Sequence, residues 1–318
     1  MKQSADPFDP SQLRLTRDLV RLRIDPGETH VQIRRGVWLP RSAAAALDAG
    51  ARHAAFVHAT ALIADADPPH TFCLASAGAV WGLPRIGPWP SRCDVLVQAR
   101  RRGSELIRTH RGEPVEAVLV HGVHVTPVDR TVVDLARTES LETAVVAADH
   151  ALREDMCTID ELRGLVENIP KRGRGRSRAQ LVVDMADPAS MSVGESLSRV
   201  RMFQLNLPRP RLQVAHSDDR GLIGVVDFDW NGVIGEFDGK LKYAIPDGTD
   251  PAEAAEIVWR EKQREDRLRR LENKVARWVW ADALVPARMA AILAKEGIRP
   301  QARNAWFDVG SAGAPRSA

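Results

Sequence analysis

The stretch VDFDWNGVIGEFDGKLKY, residues 226–243, decides the fold of the C-terminal part of the chain. Two segments with an apolar pattern meet at Asn231 and Gly232, a dipeptide that suits the tight turn of a β-hairpin. The segment KVARWVWAD, which follows about thirty residues later, predicts a further strand. Together with the helices that flank them, these strands predict a compact α/β layer.

Acidic side chains interrupt both strands of this hairpin. Because successive side chains point to opposite faces of a strand, Asp227 and Asp229 share one face of the first strand. Glu236, Asp238 and Lys240 likewise share one face of the second strand. The pattern therefore predicts that several carboxylates and one ammonium converge across the hairpin.

A convergence of like charges is costly unless a cation binds there. Magnesium or manganese is the expected occupant, since a hard divalent cation takes carboxylate oxygens and leaves positions for water and phosphate. We expect Asp227, Glu236 and Asp238 to bind this metal and Lys240 to stabilise charge on a phosphodiester. Glu195 would complete the site through water.

Two of these acids have a structural alternative. Glu195 stands three residues after Ser192, which is the spacing of a helix capping box. Asp229 lies beside the hairpin turn, where it can simply be solvated. Both alternatives remain open at the level of sequence.

The helix that follows the hairpin carries a dense run of charges. Asp250 and Pro251 form a helix start, with Asp as the cap and Pro in the first turn. Lys262 and Arg264 on this helix are candidates for contact with a DNA backbone. The alternative is an ordinary solvated face with charge pairs four residues apart.

The N-terminal half predicts an α+β region. Residues 31–40, VQIRRGVWLP, read as a strand in which Arg34 and Arg35 resemble the wing of a winged helix, or else a surface hairpin. An Ala-rich helix is expected over 43–66 and a shorter one before Gly82. Alternating segments between 93 and 126 predict a small antiparallel sheet, and further helices follow up to Pro170.

Residues 171–180, KRGRGRSRAQ, are the one concentrated basic run. Glycines interrupt any helix at its start, so Arg172, Arg174 and Arg176 are expected on a flexible loop that lies along phosphates. A solvated linker between domains explains the run equally well.

Length and composition limit the number of domains and the classes of protein to which the chain can belong. The chain has 318 residues, 44% of them hydrophobic and 27% charged, with a formal net charge of +3. This length predicts several domains, which we place at 1–42, 43–170, 171–191 (the basic linker and helix), 192–298 and 299–318 (a disordered tail). No apolar run long enough for a membrane span and no signal peptide is seen, so we expect a cytoplasmic protein without a membrane partner. Three scattered cysteines indicate core residues rather than a zinc site or a disulfide framework.

From Gly194 to Asp282 the motifs GES, VDFDW, GEFDGKLKY and VARWVWAD resemble the PD-(D/E)xK nuclease superfamily, in particular the branch of very-short-patch repair endonucleases. The resemblance implies a restriction-endonuclease-like fold. Asp227 then corresponds to the acid of the first strand, Glu236 to that of the second and Glu195 to that of the first helix. The family pattern places a lysine two residues after the second-strand acid, and counted from Glu236 the lysine comes two residues later, at Lys240.

The motifs RRGVWLP, SAGAVWGLP and VTPVDRTVVDLAR, between Leu13 and Arg153, are similar to AbiEi-type antitoxins of type IV toxin-antitoxin systems. That resemblance implies a repressor-like winged helix-turn-helix, DNA as a partner and a cognate toxin as another. Too few residues precede Arg34 for three full helices, so we expect only a partial winged-helix segment over 1–42.

The sequence therefore favours a DNA-associated protein whose C-terminal domain is a magnesium-dependent endonuclease. The alternative is a non-enzymatic antitoxin or transcriptional regulator in which a catalytically degenerate nuclease fold serves only for binding.

Overall fold

The computed structural model of the protein describes residues 8–64, 66, 68–99, 102–239 and 251–308. The chain forms two units, Met1–Ala186 and Asp187–Ala318. The second begins five residues before the start predicted for the nuclease-like domain. Nowhere in the described ranges is there a helix long and apolar enough to cross a bilayer. Both units mix helices with sheet, so the fold is α+β.

The first unit opens with short elements and continues with longer helices. After a 3-10 helix over Pro10–Gln12, its elements are β1 (Arg14–Leu15), α1 (Thr16–Arg21), α2 (Pro26–Thr29), β2 (His30–Arg34), β3 (Val37–Pro40), α3 (Arg41–Ala46), α4 (Ala49–Ile63), β4 (Thr71–Phe72), α5 (Leu74–Val80), β5 (Cys93–Val97), β6 (Ile107–Arg111), β7 (Val118–Val120), β8 (Val123–Val125), α6 (Val128–Thr138), α7 (Leu141–Arg153), α8 (Ile159–Glu167) and α9 (Arg176–Met185).

The N-terminal sheet has the strand order β1-β3-β2 and is antiparallel. Along the chain, α1 and α2 lie between β1 and β2, and the turn at Arg35 and Gly36 joins β2 to β3. Asp25 begins α2 because its carboxylate accepts the N–H of Gly27 at 2.8 Å and Pro26 occupies the first turn. With four residues, α2 is shorter than two helical turns.

The Ala-rich helix predicted over 43–66 is two helices, α3 and α4. Asp48 separates them, since its carboxylate accepts the N–H of Ala51 at 2.8 Å and so caps α4. The helix predicted before Gly82 is confirmed as α5, and the last of those predicted up to Pro170 is confirmed as α8, where Thr158 forms a complete capping box with Glu161.

The second sheet, with order β6-β5-β4-β8-β7, is mixed rather than antiparallel as predicted. Strands β5 and β6 run parallel, and so do β4 and β8. The prediction was wrong because an alternating apolar pattern identifies the buried face of a strand but says nothing about its direction.

The three cysteines are buried and free, as the sequence predicted. Burial raises the pKa of the Cys93 thiol to about 12 and that of Cys157 to about 11. Burial also raises the pKa of Cys73 well above its ordinary value. These side chains are therefore neutral thiols that pack as small core residues.

The second unit contains one sheet of order β12-β11-β10-β9, in which β12 runs parallel to β11 and the other pairs are antiparallel. Asn231 and Gly232 both have positive φ, +55° and +107°, as the predicted tight turn requires. Strand β9 was not predicted. The elements are α10 (Val193–Gln204), β9 (Arg211–Asp218), β10 (Gly221–Asp229), β11 (Val233–Asp238), α11 (Pro251–Arg270), β12 (Lys274–Val279), α12 (Trp280–Ala283) and α13 (Pro286–Lys295).

Two helices hold this sheet. Leu268 of α11 is fully buried against Ile234 of β11 and Val275 of β12. Trp278 of β12 is also buried, and its indole N–H donates to the hydroxyl of Ser198 on α10 at 2.8 Å. Apolar burial thus fixes both helices on the strands that carry the predicted site.

Gly194, in the first turn of α10, is a point of close approach. A Cβ atom there would overlap with the ring atoms of Phe237 on β11, and this ring also packs edge-on against Trp280. We expect Gly194→Ala to lower the free energy of unfolding by about 1–3 kcal/mol, because overpacking outweighs the better helix propensity of Ala. Thermal and urea unfolding monitored by circular dichroism measures this change.

The matched control is Gly164→Ala in α8, where a Cβ would meet no atom within 4 Å. This substitution should stabilise the protein by up to about 1 kcal/mol. Equal effects of the two substitutions would contradict the packing of Phe237 on Gly194.

Two buried histidines of α4 make the first unit sensitive to acid. Burial lowers the pKa of His53 and of His58 from 6.5 to about 4. Between pH 4 and pH 6.5 each ring binds a proton in the unfolded chain but not in the folded chain. Its contribution to the free energy of unfolding is therefore fully present above pH 6.5 and is lost as the pH falls toward 4. From pH 7.5 to 5.5 we expect a loss of about 1 kcal/mol per histidine.

Urea unfolding at both pH values tests this expectation with His58→Gln, which should reduce the loss by about 1 kcal/mol. The control is His30→Asn, which removes a partly exposed histidine at the start of β2 and should leave the loss unchanged. A loss that is the same in wild type and His58→Gln would show that His58 is not buried as a neutral ring.

Candidate functional site

The Asp227 carboxylate is held against the backbone of the neighbouring strand. Its Oδ2 accepts the N–H of Phe237 at 2.9 Å, and only 7% of the residue is exposed. The pairing of β10 with β11 includes Asp229 opposite Ile234 and Phe228 opposite Gly235, and Asp227 is the next residue of β10. Since Asp238 directly follows Phe237, this hydrogen bond places the carboxylate of one strand beside an acidic residue of the next.

Glu236 is buried and paired with two arginines. Arg264 of α11 donates to its Oε1 at 2.7 Å, and Arg277, its register partner on β12, lies 3.4 Å from its Oε2. Arg277 also lies 3.3 Å from Glu265 of α11. Glu236 is therefore balanced by guanidinium groups.

The side chain of Arg264 reaches Glu236 by crossing β10. A Cβ at Gly224 would lie 2.8 Å from its Nε, and its Nη2 donates to the backbone oxygen of Val225 at 3.0 Å. We expected Arg264 to face a DNA backbone, but its guanidinium is directed into the sheet because a buried carboxylate needs a cationic partner. Lys262, two residues earlier, is exposed as expected.

Asp229 is not solvated, because only 2% of the residue is exposed. Arg211 donates to its Oδ1 at 2.6 Å, His216 lies 2.9 Å from its Oδ2, and the N–H of Asn231 donates at 2.8 Å. Burial by itself would raise the pKa of Asp229, but the hydrogen bonds from Arg211, Asn231 and His216 bring it below its ordinary value. This carboxylate fixes the hairpin turn.

Glu195 has a structural role at the start of α10, where its carboxylate binds Met191. Its N–H donates to the hydroxyl of the N-cap Ser192 at 3.1 Å, and its carboxylate accepts the N–H of Met191 at 2.9 Å. The same carboxylate oxygen accepts the side-chain amide of Gln213 at 3.0 Å. Glu195 thus caps α10 and ties it to β9.

The acids that the sequence grouped have different partners in the structure. Among the residues it describes, no three His, Cys, Asp or Glu side chains lie together in a way that would hold a metal ion. The three-carboxylate cluster of Asp227, Glu236 and Asp238 is thus not formed, because Glu236 is bound by arginines. Lys240 lies outside the described residues.

One sequence signal was missed. Asp238, Gly239 and Lys240 themselves read acid-x-lysine. Counting from Glu236 made the lysine seem displaced, although the next acid of the same strand has the required spacing. This second acid, Asp238, directly follows Phe237, whose N–H donates to Asp227.

The arginines of the N-terminal hairpin differ from each other. Arg35 is exposed at the turn. Arg34 points inward: its Nη1 is buried, and its charge lowers the pKa of the Cys93 thiol against the larger effect of burial. The pairing of β2 with β3 is irregular between Gln32 and Arg34, at the point where the side chain turns in. A phosphate contact is therefore expected of Arg35 alone.

The basic run forms a short connection packed on the first unit. Arg176 donates to the carbonyls of Glu167 and Ile169, at the end of α8, and the carbonyl of Arg174 accepts two N–H groups of Arg137 at 3.1 Å. Arg172 and the side chain of Arg174 are exposed. Two of the three predicted arginines are thus presented to solvent, and Arg176 stabilises the chain locally.

Comparisons of the chain with protein-family models, with curated proteins and with solved structures find no match.

The pairing of Glu236 with Arg264 has a measurable consequence. Arg264→Gln should lower the free energy of unfolding by about 1.5–3 kcal/mol, because hydrogen bonds to a buried charge are lost. Arg260→Gln, which breaks an exposed pair with Glu256 on the same helix, should cost less than about 0.5 kcal/mol. Urea unfolding gives both values.

A double-mutant cycle with Glu236→Gln isolates the pair itself. Once Glu236 is neutral, Arg264→Gln should cost less than it does in the wild-type background. Additive effects of the two substitutions would mean that the two side chains do not stabilise each other.

Proposed function

We propose that the second unit is a nuclease-type domain that binds a divalent cation with Asp227 and Asp238 and hydrolyses a phosphodiester of DNA. The observation that carries this proposal is the hydrogen bond from the N–H of Phe237 to Asp227, which brings the carboxylate of β10 to the residue preceding Asp238. The resemblance of the GES, VDFDW and VARWVWAD motifs to the PD-(D/E)xK superfamily supports the same assignment.

Asp227 and Asp238 form a donor set that fits magnesium or manganese. Magnesium in proteins is typically held by one or two carboxylates and completes its shell with water and phosphate oxygens. A third protein carboxylate is therefore not required, and the pairing of Glu236 with arginines does not remove the site. When bound, the cation supplies a water of lowered pKa and charge stabilisation at the phosphate.

The residues of the chain have distinct parts in this proposal. The N–H of Phe237 orients Asp227. Lys240, in acid-x-lysine spacing from Asp238, is assigned to the charge that develops on the phosphate. Glu236, Arg264 and Arg277 tie β11 to the helix α11 and to the neighbouring strand β12. Glu195 positions α10 and does not contact the substrate.

The first unit is proposed to bring the protein to DNA. Strands β1 to β3 with α1 and α2 have the order of a partial winged helix, and the turn between β2 and β3 presents Arg35. Arg172 and Arg174 add exposed positive charge to the same unit. The similarity to AbiEi-type antitoxins makes a cognate toxin a proposed second partner.

A second function is favoured by the arginine pairs on Glu236. They leave two acids rather than three for a cation, which suits a nuclease fold that has kept binding and lost catalysis. In that case the protein is a non-enzymatic regulator or antitoxin, and it binds DNA without cleaving it.

Nicking of supercoiled plasmid separates the two functions. We expect cleavage by the full-length protein with magnesium or manganese and none with a chelator. Asp227→Asn should abolish nicking while the protein stays folded, because asparagine keeps an oxygen that accepts the N–H of Phe237 but loses the charge. Asp238→Asn should do the same, and Asp219→Asn, an exposed acid in the turn after β9, should nick like wild type.

Thermal unfolding with and without the cation provides a second readout. A bound ion stabilises the folded state by about 2.7 kcal/mol at a hundredfold excess over its dissociation constant. The cation should therefore raise the melting temperature of wild type and of Asp219→Asn, and it should raise that of Asp227→Asn by less. Plasmid binding without nicking and without a metal-dependent shift would contradict the nuclease and support the regulator.

A further inference from the structure

We propose that the first unit binds a small molecule with a flat aromatic body and a carboxylate, in a cavity formed by β2, α3, the start of α4 and the segment around Trp89. The cavity has a volume of about 660 Å³. This value lies within the range of roughly 300–1,000 Å³ that is usual for small-molecule sites in proteins. The inference is independent of the nuclease proposal.

The walls of the cavity are mostly apolar. Val31 and Ile33 of β2 form one side, and Leu47 and Phe56 belong to the helical side. A ligand that enters would exchange water for aliphatic and aromatic contacts, which favours an apolar body over a sugar or a free phosphate.

Trp89 is a wall that is already fixed in place. Its ring stacks on His53 with centroids 5.3 Å apart and an interplanar angle of 24°, and the guanidinium of Arg85 lies 5.9 Å from the ring. A Cβ at Gly50 would lie 3.3 Å from the Trp89 ring, so the indole is seated directly on α4. A preorganised aromatic wall reduces the entropy lost on binding and favours a flat partner.

The charges that line the cavity are positive. Arg41 and Arg52 line it, and among the residues that the structure describes the lining includes neither Asp nor Glu. Each guanidinium donates one hydrogen bond to a backbone oxygen, Arg41 to Gly27 at 3.1 Å and Arg52 to Leu47 at 3.2 Å. With five N–H donors per guanidinium, both arginines keep donors for a carboxylate.

The remaining polar residues fit an anionic ligand without adding charge. Burial lowers the pKa of His53 to about 4, so its ring is neutral at neutral pH. Gln32 and Ser91 supply hydrogen-bonding groups at the lining. Within the described part of the chain the two arginines are thus the charged groups of the lining, and they select for a single negative group on an apolar molecule.

The experiment uses full-length protein and 2-naphthoate as the probe, with calorimetry and tryptophan fluorescence as readouts. We expect saturable binding of one probe per chain. The neutral isostere 2-naphthalenemethanol should bind at least about tenfold more weakly, since it lacks the carboxylate that pairs with the arginines. Equal binding of the two compounds would overturn the proposal, and so would a signal that does not saturate.

Three variants locate the binding. Arg41→Gln combined with Arg52→Gln should weaken 2-naphthoate by at least about tenfold, and Ala44→Trp should block the cavity. Arg17→Gln removes an exposed arginine of α1 outside the lining and is the control. Because the arginine pair lies at the surface, its loss should leave the melting temperature unchanged, which keeps the test valid if Ala44→Trp fails to fold.

A duplex oligonucleotide serves as competitor. The proposal predicts that it does not displace 2-naphthoate. Displacement that is lost in the double arginine variant would assign this surface to nucleic acid and overturn the small-molecule site. Wild-type affinity in the double arginine variant would overturn it as well.

Discussion

The neutralisation of Glu236 inside the sheet is the interaction on which the second unit depends. A buried carboxylate without a partner is costly, and here the partners come from two other elements, Arg264 of α11 and Arg277 of β12. Arg264 also binds the carbonyl of Val225, so one side chain connects α11, β10 and β11. Arg267 adds a second tie of the same kind to Asp218 of β9. The long helix is thereby held along the strands by charge as well as by Leu268.

Local chemistry made part of this arrangement predictable. The turn at Asn231 and Gly232 needs residues that tolerate positive φ, and the cap at Ser192 needs a hydroxyl followed by an acid. Both features depend on neighbours within four residues, and both are present. The partners of Glu236 are 28 and 41 residues away in the chain, and no local pattern identifies them. Strand β9 was missed because its sequence, RLQVAHSD, lacks a regular apolar alternation and none of its residues is buried.

The same limit explains how arginines were assigned from sequence. A guanidinium carries five donors, which serve a phosphate, a buried carboxylate or a set of carbonyls equally well. Arg35 and Arg172 face solvent, whereas Arg264 binds a glutamate and Arg176 binds carbonyls at the end of α8. The sequence shows which residues are charged, but burial in the folded protein decides whether an arginine faces solvent, a carboxylate or carbonyl groups. The acidic residues divide in the same way, with Asp229 and Glu236 used by the fold.

Charge balance explains how a structural network and the proposed cation site can share one strand. Arg264 and Arg277 carry two positive charges, and Glu236 and Glu265 carry two negative ones. Arg269 also binds Glu265 and adds a third positive charge, but its side chain is exposed, so solvent screens that charge while the other four charges balance one another. Without Glu265, the two guanidinium groups on Glu236 would carry one unbalanced positive charge, which would disfavour a divalent cation bound to the same strand. With Glu265 present, Glu236 belongs to the structural network of the sheet. Asp227 and Asp238 are then the carboxylates that the proposal assigns to the cation.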